Sequence, residues 1–425
     1  MDPFFLIFFL LILVLGLFSR RIERSVITGP MVLTIAGLLV YFAFPVLAET
    51  EIKTSQITTL CSIALALVIF TDASRINILK IARSITLSAR LLAVGMPLTI
   101  ILGTGIAVML LTDLTLWEAA ILAVILAPTD AGLGHAVVSN KHVPMRIRQV
   151  LNVEAGLNDG ISMPFLLLFI ALARVDAPQE EFFWIFETIQ QIGLGLIIGA
   201  ASGYLGGRLL GKADRRGWIR EPFHQITAFS LAIMCWGFAE YIHVNSFLAV
   251  FICGLLIKPG YDSAGEKMVK SSSVEMLAFS EAWGQMLSYA VFFVFGVIIF
   301  TGMIGWGTPV IWLYAILSLT VIRMLPVAIS LIGTHLKLPS VFFLGWFGPR
   351  GLASIVLGLI LIGQEYVIPG KPIIESVVTA TVFLSIFAHG ITSAPGVKFY
   401  SRFVKKLPPG APELEETVER PVRKL

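Results

Sequence analysis

The sequence predicts an all-α protein that crosses a membrane many times. Hydrophobic residues make up 57% of the 425-residue chain and charged residues only 14%, well below the roughly 25% typical of soluble domains. Apolar segments recur roughly every thirty residues, and most approach the about 20 residues that span a bilayer. Basic residues are confined almost entirely to alternate loops. Together these observations exclude a soluble protein with one large core.

Hydropathy predicts thirteen apolar helical segments, with the first and ninth rather short. They cover residues 3–18, 26–47, 57–71, 87–111, 116–138, 150–173, 186–210, 224–242, 246–257, 280–301, 308–333, 340–362 and 373–396. We therefore assign residues 1–397 to one transmembrane domain. The charged residues 398–425 contain the pair Pro408-Pro409, and they are predicted to form a short, partly disordered cytoplasmic tail.

The distribution of Lys and Arg predicts the orientation of these segments. Loops after the odd-numbered segments carry most basic residues, whereas loops after the even-numbered segments hold only Lys53, Arg174 and Lys371. Because cytoplasmic loops carry an excess of basic residues, we expect the N-terminus outside and the C-terminus inside. The first apolar run lacks a preceding basic region, so we do not expect a cleaved signal peptide.

Two of the segments contain matched interruptions. The fifth breaks at Ala127-Pro128-Thr129-Asp130 and the twelfth at Phe347-Gly348-Pro349-Arg350-Gly351. Proline removes a backbone donor and clashes with the preceding turn. When segments two to six are compared with nine to thirteen, both breaks fall in the fourth helix of a five-helix unit, and the two units have opposite orientations. This arrangement is typical of inverted-repeat transporters, which bind substrate near the membrane midplane.

Acidic residues in the apolar segments mark the candidate site. A charge near the bilayer centre costs at least about 2.5–3.5 kcal/mol, so such residues are usually functional. Asp130 lies at the first break, and the sixth segment carries Glu154, Asn158 and Asp159. A carboxylate in that environment holds a proton or a metal cation but not both. The sequence therefore predicts a site at which a proton and a cation compete.

Two arginines within the segments need counter-ions, because a guanidinium group remains charged in proteins. Glu154 is the natural partner for either Arg323 or Arg350, and the sequence leaves that choice open. An ion pair involving Glu154 would leave Asp159 available for exchange.

These motifs resemble those of a known family. The two break sequences and Glu154-Ala155-Gly156-Leu157-Asn158-Asp159-Gly160 are similar to those of the type-1 monovalent cation/proton antiporters, the NhaP-like sodium/proton exchangers, over essentially the whole chain. The resemblance implies that Asp159 binds ion and proton, with Asp130 and Thr129 as further ligands of transported Na⁺. It also implies that Asn158 orients the breaks. Asp72 would be either a secondary ligand or a helix-end residue.

The resemblance further implies a homodimer in the cell or inner membrane that works by an elevator-like movement. Its mobile core would comprise residues 87–173 and 308–396, and its dimerisation scaffold residues 3–72 and 186–301. Exchange of one Na⁺ for one H⁺ is expected to be electroneutral, because electrogenic relatives carry Asp where this chain has Asn158. Ala155 replaces a serine found in many relatives, so water is expected in place of that hydroxyl. We expect a transporter rather than an enzyme, with no cofactor.

Other functions fit the sequence less well. The same site could exchange K⁺ instead of Na⁺, with Li⁺ also accepted, since cavity size and ligand number decide between these ions. An intramembrane aspartyl protease also uses two membrane-embedded aspartates, but acid/base hydrolysis does not require Glu154, two buried arginines or matched breaks. A cation channel would pass uncoupled currents, whereas a single competitive site predicts exchange.

Overall fold

The computed structural model describes most of the chain. The described residues are 3–22, 25–43, 54–75, 87–130, 132–133, 135–138, 140–174, 181–265, 270–299, 307–364 and 367–414. They contain helices and no strand, which confirms the predicted fold class. In chain order the helices are α1 Pro3–Ile22, α2 Gly29–Ala43, α3 Thr54–Arg75, α4 Leu87–Leu110, α5 Leu116–Ile125, α6 His135–Val138, α7 Met145–Ala173, α8 Glu181–Arg215, α9 Glu221–Tyr241, α10 Ser246–Asp262, α11 Lys270–Ile298, α12 Pro309–Leu319, α13 Val321–Ser330, α14 Leu338–Trp346, α15 Leu352–Ile362 and α16 Lys371–Val404.

Each of the thirteen predicted segments overlaps a helix or a pair of helices, although residues 44–47, 131, 134, 300 and 301 of these segments lie outside the described residues. The number and the orientation of the membrane crossings stay predictions. Within the described residues, seven helical stretches are long and apolar enough to cross a membrane on length and composition alone, with α12 and α13 counted as one stretch. α1, α2, α5 and α15 contain shorter apolar runs. The short helices α5 and α15 follow directly from the two predicted interruptions, since each lies on one side of a break.

The segments around both breaks lie in the interior of the protein. Every residue from Glu118 to Asp130 is buried, and so is every residue from Phe347 to Leu357. α5 begins with a capping box in which Thr115 and Glu118 satisfy each other's backbone N–H groups. The buried carboxylate of Glu118 also accepts a hydrogen bond from the Gly370 backbone, at 2.6 Å. Helix α5 is thereby fixed at the start of α16.

The helices pack in two groups. α8 lies along α10, and α11 packs against α2 and α3. In the other group α5 contacts α4 and α7, and α16 contacts α12 and α15. Helix α3 touches members of both groups, because it contacts α10 and α11 as well as α7 and α15.

The chain remains ordered beyond the last predicted apolar segment. Helix α16 continues to Val404, and residues Pro412–Leu414 form a 3₁₀ turn that packs on the helices. The fully buried carboxylate of Glu413 accepts hydrogen bonds from the Lys337 backbone N–H at 2.8 Å and from the Ser340 hydroxyl at 2.9 Å. It thus caps the start of α14. Residues 415–425 of the predicted tail lie outside the described residues.

Candidate functional site at two crossing helix breaks

The two helix breaks meet in the interior. The Asp130 backbone N–H donates to the carbonyl oxygen of Pro349 at 2.8 Å. Beside this contact, the Ser354 hydroxyl donates to the Ile125 carbonyl oxygen, also at 2.8 Å. Residues more than two hundred positions apart in the chain therefore satisfy backbone groups that each interrupted helix leaves unpaired. A broken helix inside a membrane protein requires such partners, because an unpaired backbone group in hydrocarbon is costly.

Arg350, from the second break, stabilises the end of the helix before the first break. Its Nη1 donates to the carbonyl oxygens of Ala127, at 2.5 Å, and Pro128, at 2.8 Å. The side chain is fully buried. The C-terminal end of a helix carries a partial negative charge, so a guanidinium group there is favourable. Arg350 therefore holds the two carbonyl groups that follow the C-terminal end of α5.

Asp130, from the first break, stabilises the start of the helix after the second break. Its Oδ2 accepts from the Leu352 backbone N–H at 2.8 Å, while Oδ1 accepts from the Gly132 N–H at 2.7 Å. The same Oδ1 lies 3.4 Å from the Leu133 N–H, so Asp130 accepts from backbone groups that follow its own break and from the first residue of α15.

The glycines of the second break make room for these charged groups. A Cβ atom at Gly351 would overlap Oδ2 of Asp130, and one at Gly348 would lie 2.6 Å from Nε of Arg323. A side chain at either position would displace a charged group of the site. Glycine is therefore required at both positions of the Phe347–Gly351 motif to leave space for the side chains of Arg323 and Asp130.

Asn158 connects α7 to the first break. Its Nδ2 donates to the Thr129 hydroxyl oxygen at 2.9 Å. Its other amide atom, Oδ1, is buried and has no hydrogen-bond partner among the described residues. Because the Thr129 hydroxyl accepts this bond, its own proton remains available to a further acceptor.

Asp159 is the one site carboxylate with a buried oxygen that lacks a hydrogen-bond partner in the described part of the chain. The residue is 8% exposed, and Oδ1 is the unpartnered atom. The carboxylates of Asp130 and Asp72 are close enough to repel a negative charge on Asp159. Asp72 is half-buried on α3 beside α7, where a Cβ at Gly156 would lie 3.3 Å from the Asp72 Cβ. This arrangement favours a bound cation or proton.

The geometry decides which arginine pairs with Glu154. Arg323 donates from Nη1 to Oε1 at 2.5 Å and from Nη2 to Oε2 at 2.9 Å. Both residues are buried, with exposures of 4% and 2%. This two-bond geometry is the strong form of an arginine–carboxylate pair. Arg350 is not the partner, since its guanidinium group binds the carbonyl oxygens of the first break.

Within the described residues, no group of three or more His, Cys, Asp or Glu side chains is arranged to hold a metal. The neutral oxygens near Asp159 include those of the Asn158 amide and the Thr129 hydroxyl, and neutral oxygens suit hard cations.

Sequence reasoning missed the serines that support the breaks. Ser354 donates to a carbonyl of α5, and Ser385 accepts the Arg350 backbone N–H at 2.7 Å. Both are completely buried. No sequence signal distinguishes them, because serine is common in membrane helices and its role depends on which segment lies opposite.

Comparison with known proteins agrees with this architecture. The family model described as "Sodium/hydrogen exchanger, transmembrane" matches residues 6–398. The chain is 29% identical over 272 residues to a Na⁺/H⁺ antiporter of Saccharomyces cerevisiae, covering 60% of this chain and 26% of that protein. It is 24% identical over 243 residues to the K⁺/H⁺ antiporter NhaP2 of Shewanella oneidensis, covering 55% and 42%. The chain spans less than half the length of these two relatives.

Among solved structures, the fold is similar to that of the sodium proton antiporter MjNhaP1 from Methanocaldococcus jannaschii at pH 8. The TM-score is 0.68 at 18% identity, and the match covers 90% of this chain and 97% of that one. At this identity the likeness concerns the fold alone. The family model, however, spans nearly the whole chain and includes both breaks and α7. The protein therefore belongs to the sodium/hydrogen exchanger family.

Proposed function

We propose that this protein exchanges Na⁺ for H⁺ across a membrane, one for one, and that both ions compete for the carboxylate of Asp159. The observation that carries the proposal is the pair of buried, unpartnered oxygens on α7, Oδ1 of Asp159 and Oδ1 of Asn158. A buried polar atom without a partner is costly. A cation or a proton would satisfy it.

The exchange follows from charge balance at this one side chain. An ionised Asp159 is repelled by nearby Asp130 and Asp72, so the empty site is unfavourable. Binding either H⁺ or Na⁺ adds one positive charge and relieves that repulsion. Because the carboxylate cannot hold both at once, loading one ion expels the other. One positive charge then moves in each direction, and the cycle is electroneutral.

The remaining site residues take supporting roles in this proposal. The Asn158 amide oxygen and the Thr129 hydroxyl are the neighbouring oxygens able to contact a bound cation. Asp130 contributes its negative charge while both of its oxygens accept backbone hydrogen bonds. The Glu154–Arg323 pair keeps its charges matched during exchange.

Assembly and movement follow the family resemblance. We propose a homodimer in the plasma or inner membrane, in which residues 3–72 and 186–301 form the scaffold. The core of residues 87–173 and 308–396 would move as one body and expose Asp159 to each side in turn. Helices α3, α8 and α10 of this scaffold all contact α7 of the core, so the core would move along these three helices.

The test is Na⁺-driven proton movement in proteoliposomes that contain an internal pH-sensitive dye. The native protein should respond to added Na⁺ equally with and without an imposed membrane potential, whereas Asp159→Asn should show no response. Asp113→Asn is the matched control, since Asp113 lies exposed in the turn before α5. Undiminished exchange by Asp159→Asn would refute the site assignment.

The same assay separates the alternative cation and the alternative mechanism. Relatives of this chain include a K⁺/H⁺ antiporter, so Na⁺, Li⁺ and K⁺ are added in turn at equal concentration. A response to K⁺ alone would replace Na⁺ by K⁺ at the same site. A Na⁺ current without proton movement would instead indicate a channel.

A further inference from the structure

Helix α16 holds both sides of the second break through side chains spaced along one face. Ser385 accepts the backbone N–H of Arg350 at 2.7 Å, and Thr392 accepts the indole Nε1–H of Trp346 at 3.0 Å. Trp346 is the last residue of α14, and Arg350 lies just before α15. The geometry of the break therefore depends on α16 as well as on the first break.

His389 lies between these two contacts. It is 2% exposed and follows Ser385 by one helical turn. Its Nδ1 is 3.1 Å from the Ser385 hydroxyl oxygen and 3.0 Å from the Ser385 carbonyl oxygen. The imidazole ring lies against the Trp346 indole, with ring centroids 5.0 Å apart. His389 thus contacts the groups that hold each end of the break.

The hydrogen bonds of Ser385 determine the part that His389 plays. The hydroxyl oxygen accepts from Arg350 and has one proton to donate. Among the described contacts, the acceptor within reach of that proton is Nδ1 of His389. A neutral imidazole accepts at Nδ1 when its proton is on Nε2. With the proton on Nδ1, the ring would donate to the Ser385 carbonyl and the buried hydroxyl proton would lack an acceptor. With the proton on Nε2, the hydroxyl is satisfied, and the buried Nε2–H lies toward the Trp346 backbone carbonyl without forming a hydrogen bond among the described residues.

We propose that His389 is a positioning residue for ion exchange, which accepts the Ser385 hydroxyl proton and so fixes the oxygen that holds the Arg350 backbone. This inference rests on the proposed function. The effect reaches the ion site through consecutive contacts: the Arg350 guanidinium group binds the carbonyl oxygen of Pro128, and the adjacent Thr129 binds Asn158. Asp159 is the next residue along α7.

The test compares His389→Leu, His389→Asn and Ser385→Ala in proteoliposomes. Loss of one buried hydrogen bond should raise the Na⁺ concentration for half-maximal exchange roughly three- to tenfold in His389→Leu and Ser385→Ala. His389→Asn should stay near the native value, because an Asn oxygen lies near the position of Nδ1. Since protons and Na⁺ compete, weaker Na⁺ binding should also move the pH profile of exchange in the alkaline direction.

The double variant Ser385→Ala/His389→Leu separates positioning from simple packing. If His389 acts through Ser385, the double variant should match Ser385→Ala in half-maximal Na⁺ concentration. A further increase in the double variant, or equal impairment of His389→Asn and His389→Leu, would overturn the proposal.

Thermal unfolding of the native protein, His389→Leu, Ser385→Ala and the double variant in detergent tests the contact without relying on exchange. The losses in unfolding midpoint should be less than additive in the double variant. Additive losses would contradict the Ser385–His389 contact. If the native protein moves no protons when Na⁺ is added, the proposed function is contradicted instead. The unfolding midpoints would still show whether Ser385 and His389 are in contact.

Discussion

Helices α8 and α10 are held together by close backbone contact, whereas the crossing of the two breaks is held together by charged side chains. Along α8, glycines at every fourth position face α10. A Cβ atom at any of them would overlap or crowd a backbone carbonyl oxygen of the facing helix. The pairs are Gly199 with Ala249, Gly203 with Cys253, Gly207 with Ile257 and Gly211 with Tyr261.

At the crossing of the two breaks, charged side chains provide the contacts instead. Arg350 binds carbonyl groups just beyond the end of α5, Asp130 caps the start of α15, and Arg323 pairs with Glu154. Each charge is buried, and each meets a helix end or an opposite charge.

The difference follows from what lipid can and cannot provide. Lipid tails are as apolar as leucine, so membrane helices associate through close packing and hydrogen bonds rather than through the hydrophobic effect. A continuous helix satisfies its own backbone and needs only a close surface, which glycine supplies. An interrupted helix exposes unpaired backbone groups, which require polar partners. We therefore expect α8 and α10 to be sensitive to side-chain volume and the crossing to loss of charge.

The largest effect is expected from removing one member of the Glu154–Arg323 pair. Arg323→Met leaves a buried carboxylate without its partner, and breaking such a pair typically costs about 3–5 kcal/mol. The yield of folded protein and the thermal unfolding midpoint should both fall sharply. Adding Glu154→Leu should recover much of the loss, because two apolar side chains carry no unpaired charge. A double variant no better than Arg323→Met would show that the pair does more than match charge.

A smaller but substantial effect is expected at the glycine contact. Gly207→Val places a branched side chain against the Ile257 carbonyl oxygen, and overpacking of this kind costs about 1–3 kcal/mol. Gly193→Val is the matched control on the same helix, since a Cβ at Gly193 meets no atom within 4 Å. The thermal midpoint should fall for Gly207→Val and stay near native for Gly193→Val. Equal midpoints would show that α8 and α10 do not depend on close backbone contact.

The smallest effect is expected at Glu413, which tests whether polar caps matter away from the breaks. Glu413→Ala removes the acceptor of the Lys337 N–H and of the buried Ser340 hydroxyl. Because Lys337 is exposed, water can replace the first bond, and the expected cost is that of one hydrogen bond, about 0.5–1.5 kcal/mol. Glu413→Gln is the control, because its amide oxygen can still accept from both groups. A lowered thermal midpoint is expected for the alanine variant alone. Matching losses in both variants would assign the effect to the negative charge instead.

Much of the fold could be predicted from the sequence, because apolar segments of membrane length are read directly from hydropathy. The ends of the helices could not be predicted in this way. Helix α16 begins two residues before its predicted segment and continues to Val404, eight residues past it. Hydropathy reports where apolar side chains occur, whereas a helix continues as long as its backbone hydrogen bonds do. The sequence also shows the repeated glycines of α8, but it does not show which helix lies opposite them.

The sequence identified residues of the candidate site but not the partners that these residues contact. Proline at each break and carboxylates in apolar helices identified Asp130, Glu154 and Asp159. The sequence could not show that Asp130 caps a helix more than two hundred residues away, or that Arg323 rather than Arg350 pairs with Glu154. Those partners depend on how the two helix breaks cross, which no local pattern encodes.

The most direct test of competition at Asp159 is proton release from the purified protein. In weakly buffered detergent solution at a pH where the site holds a proton, addition of NaCl should release protons, in an amount approaching one per chain at saturation. Choline chloride should release no protons, and Asp159→Asn should release no protons with either salt. Proton release from Asp159→Asn equal to that from the native protein, or none from the native protein at any pH, would contradict competition at this carboxylate.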